Sequence, residues 1–264
     1  MVKEFEGLNL WAIILGGSSG LGLAAAKKLA AQGLNICLLH RSGRAEMDII
    51  RKSFEEISAT GATLITFNLD VIKEENRIKV LEDLKTSIGP GRIRCLLHSI
   101  AKGNLKPMLD EEMPGLASQD FLLTLQHMAL SLSDWTKAIH DAGLFAADAR
   151  VIAFTSEGST KAWKHYAAIS AAKAALEAIT RSIALEYAPY GIRANCIQAG
   201  VTDTASLQKI PGSELLKEHS IKRNPFKRLT LPEDVANAVY LLCKDEAAWI
   251  NGTVIPVDGG EHIS

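Results

Sequence analysis

Ser156, Tyr166 and Lys173 are side chains of the types that proton transfer and charge stabilisation require. In the stretch HYAAISAAK, His165 to Lys173, the tyrosine stands seven residues before the lysine, and Ile169 fills the place four before it. A phenol donates hydrogen bonds at neutral pH, and a nearby ammonium favours it as a proton donor. Such a pair can stabilise negative charge as it develops on a substrate oxygen. Ser156, 17 residues before Lys173, adds a hydroxyl that would orient either the substrate or the phenol. The opposing readings are a packing tyrosine with a surface lysine, and a serine bonded to local backbone at a strand end.

A second group of residues suits phosphate binding. The segment LGGSSGLGLAAA places Gly16, Gly20 and Gly22 in a G-x-x-x-G-x-G turn, with Ser18, Ser19 and Leu21 between them. Glycines at a strand-to-helix turn let the backbone approach a pyrophosphate whose charge faces the helix N-terminus. The second apolar run ends LLHRSGR. An acidic residue there would bind the adenosine ribose and favour NAD. His40 and Arg41 stand there instead, with Arg44 close behind. Arg41 would pair with a 2′-phosphate, which points to NADPH (NADP+), unless both arginines are solvated surface residues. Asp70 either accepts from the adenine amino group, with Val71 beside the ring, or caps the following helix. Ser99, Ile100 and Ala101 would line the nucleoside and the nicotinamide ribose.

These residues need a scaffold that brings strand ends together. LWAIILG, LNICLLH, ATLITFNL, RCLLHSI, RVIAFTS, RANCIQA and GTVIPV read as strands, most of them apolar on both faces, as parallel strands covered by helices are. Helical periodicity fills the intervals: LGLAAAKKLAAQG, EMDIIRKSFEEISATG, KEENRIKVLEDLKTSIG, residues 121–141, residues 167–187 and PEDVANAVYLLCK. The alternation predicts an α/β fold, a Rossmann-type doubly wound parallel seven-stranded sheet in a three-layer α/β/α arrangement. One domain is expected over residues 1–264, with an irregular substrate-binding loop at about 202–229.

With 47% apolar and 22% charged residues and a formal net charge of −1, the composition suits a globular core and gives no electrostatic ground for nucleic acid or an anionic membrane as partner. The start, MVKEFEGLNLWAIILGG, carries no signal-type cleavage region, and a cytoplasmic protein is expected. Cys37, Cys95, Cys196 and Cys243 form no CxxC pair and read as buried free thiols, with no metal site expected.

GGSSGLG, NLDV, HSIAKG, the serine of FTSEGS, YAAISAAK, GIRANCIQAG followed by Thr204, and the ending VDGG together resemble the short-chain dehydrogenase/reductase family across essentially the whole chain. The resemblance implies a nicotinamide cofactor and a homotetramer. It also implies that backbone groups near Val201 and Thr202 hold the carboxamide, with Gly200 beside them in the cofactor site, while Thr204 reaches a phosphate. Within that family, HSIAKG and Y-x6-K are similar to enoyl-acyl-carrier-protein reductases. Ser156, at the place of a second tyrosine in the common type, is similar to the NADPH-dependent third type, as is KAALEAITRSIALEY. The helical asparagine of many members is not evident; Met128 or a neighbour occupies its region.

Displacing the tyrosine suits conjugate reduction. A helix turns ~100° and rises ~1.5 Å per residue, so on a continuous helix Tyr166 would share a face with Lys173 about 10 Å away. When hydride reaches C3 of an α,β-unsaturated thioester, charge appears on the thioester oxygen, three bonds off. Its donor must therefore stand farther from the nicotinamide than in carbonyl reduction. The expected substrate is an enoyl thioester on acyl carrier protein or coenzyme A, as in fatty acid synthesis. A 3-oxoacyl or other carbonyl reductase of the same fold is the alternative. In the loop, Leu207, Ile210, Leu215, Leu216 and Phe226 would cover an acyl chain. Lys217, Lys222, Arg223, Lys227 and Arg228 either meet an acidic carrier or are simply solvated.

Overall fold

The computed structural model describes residues 3–112 and 114–264. The apolar runs form seven parallel strands: β1 (Leu10–Leu15), β2 (Asn35–His40), β3 (Leu64–Asn68), β4 (Arg92–His98), β5 (Phe145–Thr155), β6 (Ile192–Ala199) and β7 (Val254–Val257). They lie in the order β3-β2-β1-β4-β5-β6-β7. Between them run α1 (Gly20–Ala31), α2 (Met47–Ser58), α3 (Glu74–Ile88), α4 (Ser118–Leu125), α5 (Ser131–Asp141), α6 (Ala167–Glu186), α7 (Ser213–Arg223) and α8 (Pro232–Cys243).

The central strands β1, β2 and β4 are buried on both faces, which is why they lack polar alternation. On β1, Trp11, Ile13 and Leu15 pack into the layer shared with Leu84 of α3, Trp135 of α5 and Leu176 of α6. Ala12 and Ile14 face the opposite layer, with Leu29 of α1, Ile57 of α2 and Val239 of α8. The expected Rossmann-type three-layer fold is therefore present. Chain direction across the sheet reverses between β1 and β4, and a crevice opens outside the carboxyl ends of strands at such a point. All four cysteines are free and buried. No helix among the described residues is long and apolar enough to cross a membrane.

Three elements differ from the sequence reading. The helix expected over residues 121–141 starts at Ser118 and is broken by a π-turn at Gln126–Leu130. There the Ser131 hydroxyl donates to the His127 carbonyl at 2.8 Å, a local bond that competes with regular helix. The stretch 202–229, expected to be irregular, contains a 3-10 turn at Leu207–Lys209 and the helix α7. The only buried residue of α7 is Ser220, so no apolar stripe announces it. β5 starts at Phe145, five residues before the run RVIAFTS, because its first half carries the polar Asp148.

That aspartate organises the amino-terminal edge of the sheet. Asp148 accepts from Arg94 (2.6 Å), from Arg193 (2.6 Å) and from Arg150. Arg94 and Arg150 are buried and also donate to the α8 carbonyls of Cys243 and Leu242. They thereby satisfy groups that the end of a helix leaves unpaired. Burial pushes the Asp148 carboxyl up, but the three guanidinium groups, Arg150 foremost, more than offset this and hold it below its ordinary range.

Candidate active site

The β1–α1 turn can be tight because Gly16 adopts φ 85°, and a Cβ there would stand 2.5 Å from the Ser99 carbonyl oxygen. Ser19 is the N-cap of α1 but makes no side-chain cap bond, so first-turn N–H groups stay available to an anion. Gly16, Ser18, Ser19, Gly20 and Leu21 form one wall of a groove of about 610 Å³. His40, Arg41, Asp70 and Val71 line one end of it, and Ser99, Ile100 and Ala101 the β4 side, with Lys173 and Thr204 also on the wall. Gly22 lies beneath the groove, where a Cβ would meet the Gly16 carbonyl oxygen at 2.3 Å. It permits close packing of helix on turn. Gly200, Val201 and Thr202 line an adjoining cavity instead, together with Ser156, Tyr166 and Lys173. Lys173 and Thr204 border both spaces.

Arg41 and Asp70 come together as an ion pair at 2.6 Å. Asp70 does not cap the next helix, whose N-cap is Lys73. His40 is buried, bonds Ser42 through Nδ1 at 3.0 Å, and packs edge-on against Phe54. Burial lowers its pKa, against the pull of Glu46. Arg41 is thus the cation at this end of the groove.

Tyr166 does not stand on the same helical cylinder as Lys173. It is the N-cap of α6, with φ −113° and ψ 0°, so the ~10 Å helical spacing does not apply. The preceding residue, His165, has φ 62°, a left-handed conformation that costs a residue with a Cβ roughly 1–2 kcal/mol. This turn swings the tyrosine inward, where 8% of its surface is exposed. The ring lies 5.1 Å from that of Trp163 and over Gly158, where a Cβ would meet it at 2.6 Å. Ile169, four before Lys173, lines the same cavity.

Lys173 is buried and not a surface lysine. Its Nζ donates to the Phe154 carbonyl at 2.6 Å. Burial lowers its pKa from the ordinary 10.5 to about 8. Burial raises the Tyr166 phenol, with Ser156 close enough to oppose the shift. The Ser156 hydroxyl oxygen is itself buried and bonds no backbone group; its near neighbour is the Tyr166 phenol.

Sequence reading did not single out His127 or Glu157. Met128, named only as an occupant of the asparagine's region, lines the cavity, and His127, on the π-turn, lines the groove with its Nε2 buried and unpartnered. Glu157 and Arg223 also enter the cavity wall; Arg223 belongs to a partly buried ion cluster, not to an exposed basic face. Lys217 and Arg228 are paired with neighbouring carboxylates. Of the apolar loop residues, Leu207, Ile210 and Leu216 line the cavity, while Leu215 and Phe226 are exposed.

The chain is similar to known reductases along its length. The family model described as "Enoyl-(Acyl carrier protein) reductase" matches residues 16–262. A 1-cyclohexenylcarbonyl-CoA reductase of Streptomyces collinus is 26% identical over 253 residues, 95% of this chain and 86% of that protein. A tropinone reductase homolog of Arabidopsis thaliana is 26% identical over 261 residues, 99% and 93% of the two chains. The crystal structure of the NADH-type enoyl-[acyl-carrier-protein] reductase of Aquifex aeolicus superposes with a TM-score of 0.83 at 27% identity, covering 98% of each chain. With its fold, its glycine turn and this match over nearly the whole length, the chain belongs to the enoyl-(acyl carrier protein) reductase family of short-chain dehydrogenases/reductases.

Proposed function

We propose that this oxidoreductase uses NADPH to reduce the C2=C3 double bond of trans-2-enoyl thioesters. The observation that carries the reading is the seat of Tyr166. The phenol stands outside the first turn of α6, while the apolar Ile169 holds the place four before Lys173 in the cavity. A donor set back in this way suits an oxygen remote from the carbon that receives hydride. The groove fits the dinucleotide: free N–H groups at the start of α1, a close backbone approach at Gly16, and Arg41 at the far end. When bound, the cofactor supplies hydride to C3.

The chain's own residues do the rest. Tyr166 donates to the thioester oxygen as enolate charge develops. Lys173, which borders both groove and cavity, would hold the ribose hydroxyls and favour the phenol as donor through its charge. Ser156, buried beside the phenol and free of backbone bonds, orients the thioester or the phenol. The reading is tested by NADPH oxidation with crotonyl and with acetoacetyl thioesters, each repeated with NADH. Turnover confined to the acetoacetyl substrate would make the protein a carbonyl reductase. The thioester is carried on acyl carrier protein or coenzyme A, and assembly as a homotetramer is proposed through α6, whose exposed face is small and apolar at Ala171, Ala174, Ala178 and Leu185.

Two further outcomes are expected. Arg41→Ala should raise KM for NADPH by about 10- to 100-fold, the worth of one charged hydrogen bond, and leave KM for NADH nearly unchanged. Equal effects on both cofactors would remove the 2′-phosphate assignment. The pH profile should report Lys173. Its charged form dominates below about 8, whereas Tyr166, raised above its ordinary 10.0, stays protonated. kcat/KM should therefore fall as pH rises through about 8, and a profile flat from pH 7 to about 9.5 would contradict this role.

A further inference from the structure

Arg41 does not face the groove as a free cation. Its Nη1 donates to Asp70 Oδ2 at 2.6 Å, and both side chains line the same end of the groove. The two partners are held unequally. Arg41 has 62% of its side chain exposed, Asp70 only 18%. The aspartate is also fixed by its own segment: its carbonyl accepts from Asn76 Nδ2 at 2.8 Å, and Oδ1 accepts from the Ile72 N–H at 3.4 Å. The carboxylate is therefore the tethered partner, and the guanidinium the one free to turn toward a ligand.

The neighbours do not restore a positive balance. Burial lowers the pKa of His40, against the pull of Glu46, so the imidazole is neutral at pH 7. Arg44 is exposed and shares its short turn with Glu46. Arg41 and Arg44 are thus matched by Asp70 and Glu46. A phosphate monoester carries about −1.5 to −2 charge at pH 7. At this end it gains from the guanidinium and is repelled by the carboxylate behind it. A ribose 2′-hydroxyl has no charge and meets no such repulsion. The guanidinium has five N–H donors, so its bond to Asp70 still leaves a fork for the phosphate. What the carboxylate changes is the field.

Resting on the NADPH reading, we propose that Asp70 is a specificity-determining residue that restrains the preference for NADPH over NADH. It acts on cofactor choice with the opposite sign to Arg41.

The test titrates the protein with NADPH and with NADH, each followed by its own fluorescence, without an acyl substrate. The quantity read is the ratio of Kd for NADH to Kd for NADPH. Contacts to the adenine are common to both cofactors and cancel in it. Asp70→Asn keeps an oxygen acceptor for Arg41 and removes the charge. It should raise the ratio by about five- to tenfold, as for a charge one guanidinium away in a water-exposed site. A ratio unchanged or lowered overturns the proposal. Should that variant fail to fold, Asp70→Ser is judged by the same criterion. Arg41→Ala separates this failure from failure of the NADPH reading. If it lowers the ratio by about tenfold or more while Asp70→Asn leaves it unchanged, the phosphate assignment stands and Asp70 has no part in selectivity. If neither substitution moves the ratio, the 2′-phosphate does not lie at Arg41 and both readings fall.

Discussion

Replacing Tyr166 by Phe is expected to lower kcat on an enoyl thioester by about 10²- to 10³-fold, the usual cost of removing one preorganised oxyanion donor. KM and cofactor affinity should change little, because an interaction made chiefly in the transition state is the one being removed. The substitution isolates the hydroxyl. The ring is held by Trp163 at 5.1 Å and by the space that Gly158 leaves open, and a phenylalanine fits the same seat. Because burial raises the phenol's pKa, the wild-type group is protonated at neutral pH and acts as donor. Steady-state kinetics with crotonyl thioester and NADPH, together with cofactor titration of the variant, would measure both parts. A variant that kept more than about a third of its turnover would strip Tyr166 of this role.

The largest stability effect should come from the far end of the sheet. Asp148→Ala leaves Arg150, 1% exposed, without its carboxylate, and takes from Arg94 and Arg193 one partner each. Breaking a buried ion pair from one side costs about 3–5 kcal/mol, because the remaining charge stays desolvated. For a chain of this size that corresponds to a drop in Tm of roughly 10 °C. Asp148→Asn, which keeps an acceptor oxygen, should lose less. Turnover at low temperature should persist in both, since Asp148 lies on the first half of β5 whereas Ser156 directly follows the strand's other end. Urea unfolding followed by circular dichroism reads the loss; a change below about 1 kcal/mol would mean that Asp245 and the carbonyl partners suffice.

The pattern of correct and incorrect expectations has a physical origin. Strands buried on both faces show as uninterrupted apolar runs, as β1, β2 and β4 do, and the partly exposed edge strands β3 and β7 were read beside them. The glycine turn was visible because a tight turn and close backbone approach exclude side chains at fixed spacings. Segments without an apolar signature were misread. α7 has Ser220 as its one buried residue, and the π-turn at Gln126–Leu130 leaves no trace in helical periodicity. The helix start at Ala167 was legible and left Tyr166 just ahead of it, but nothing in HYAAISAAK shows that His165 turns left-handed and swings the ring inward.

The sequence by itself determined the layered α/β architecture and the position of the glycine turn, and it singled out Ser156, Tyr166 and Lys173, which the structure brings to one cavity. Each of these follows from residue type and spacing along a local stretch of chain. Only the tertiary structure decided that Arg41 pairs with Asp70, that Lys173 is buried with its pKa near 8, and that Arg223 pairs with Glu157 and Glu261. Those facts depend on contacts between residues 29 to 66 positions apart and on how much water the fold removes from each charge. Neither quantity is carried by local periodicity.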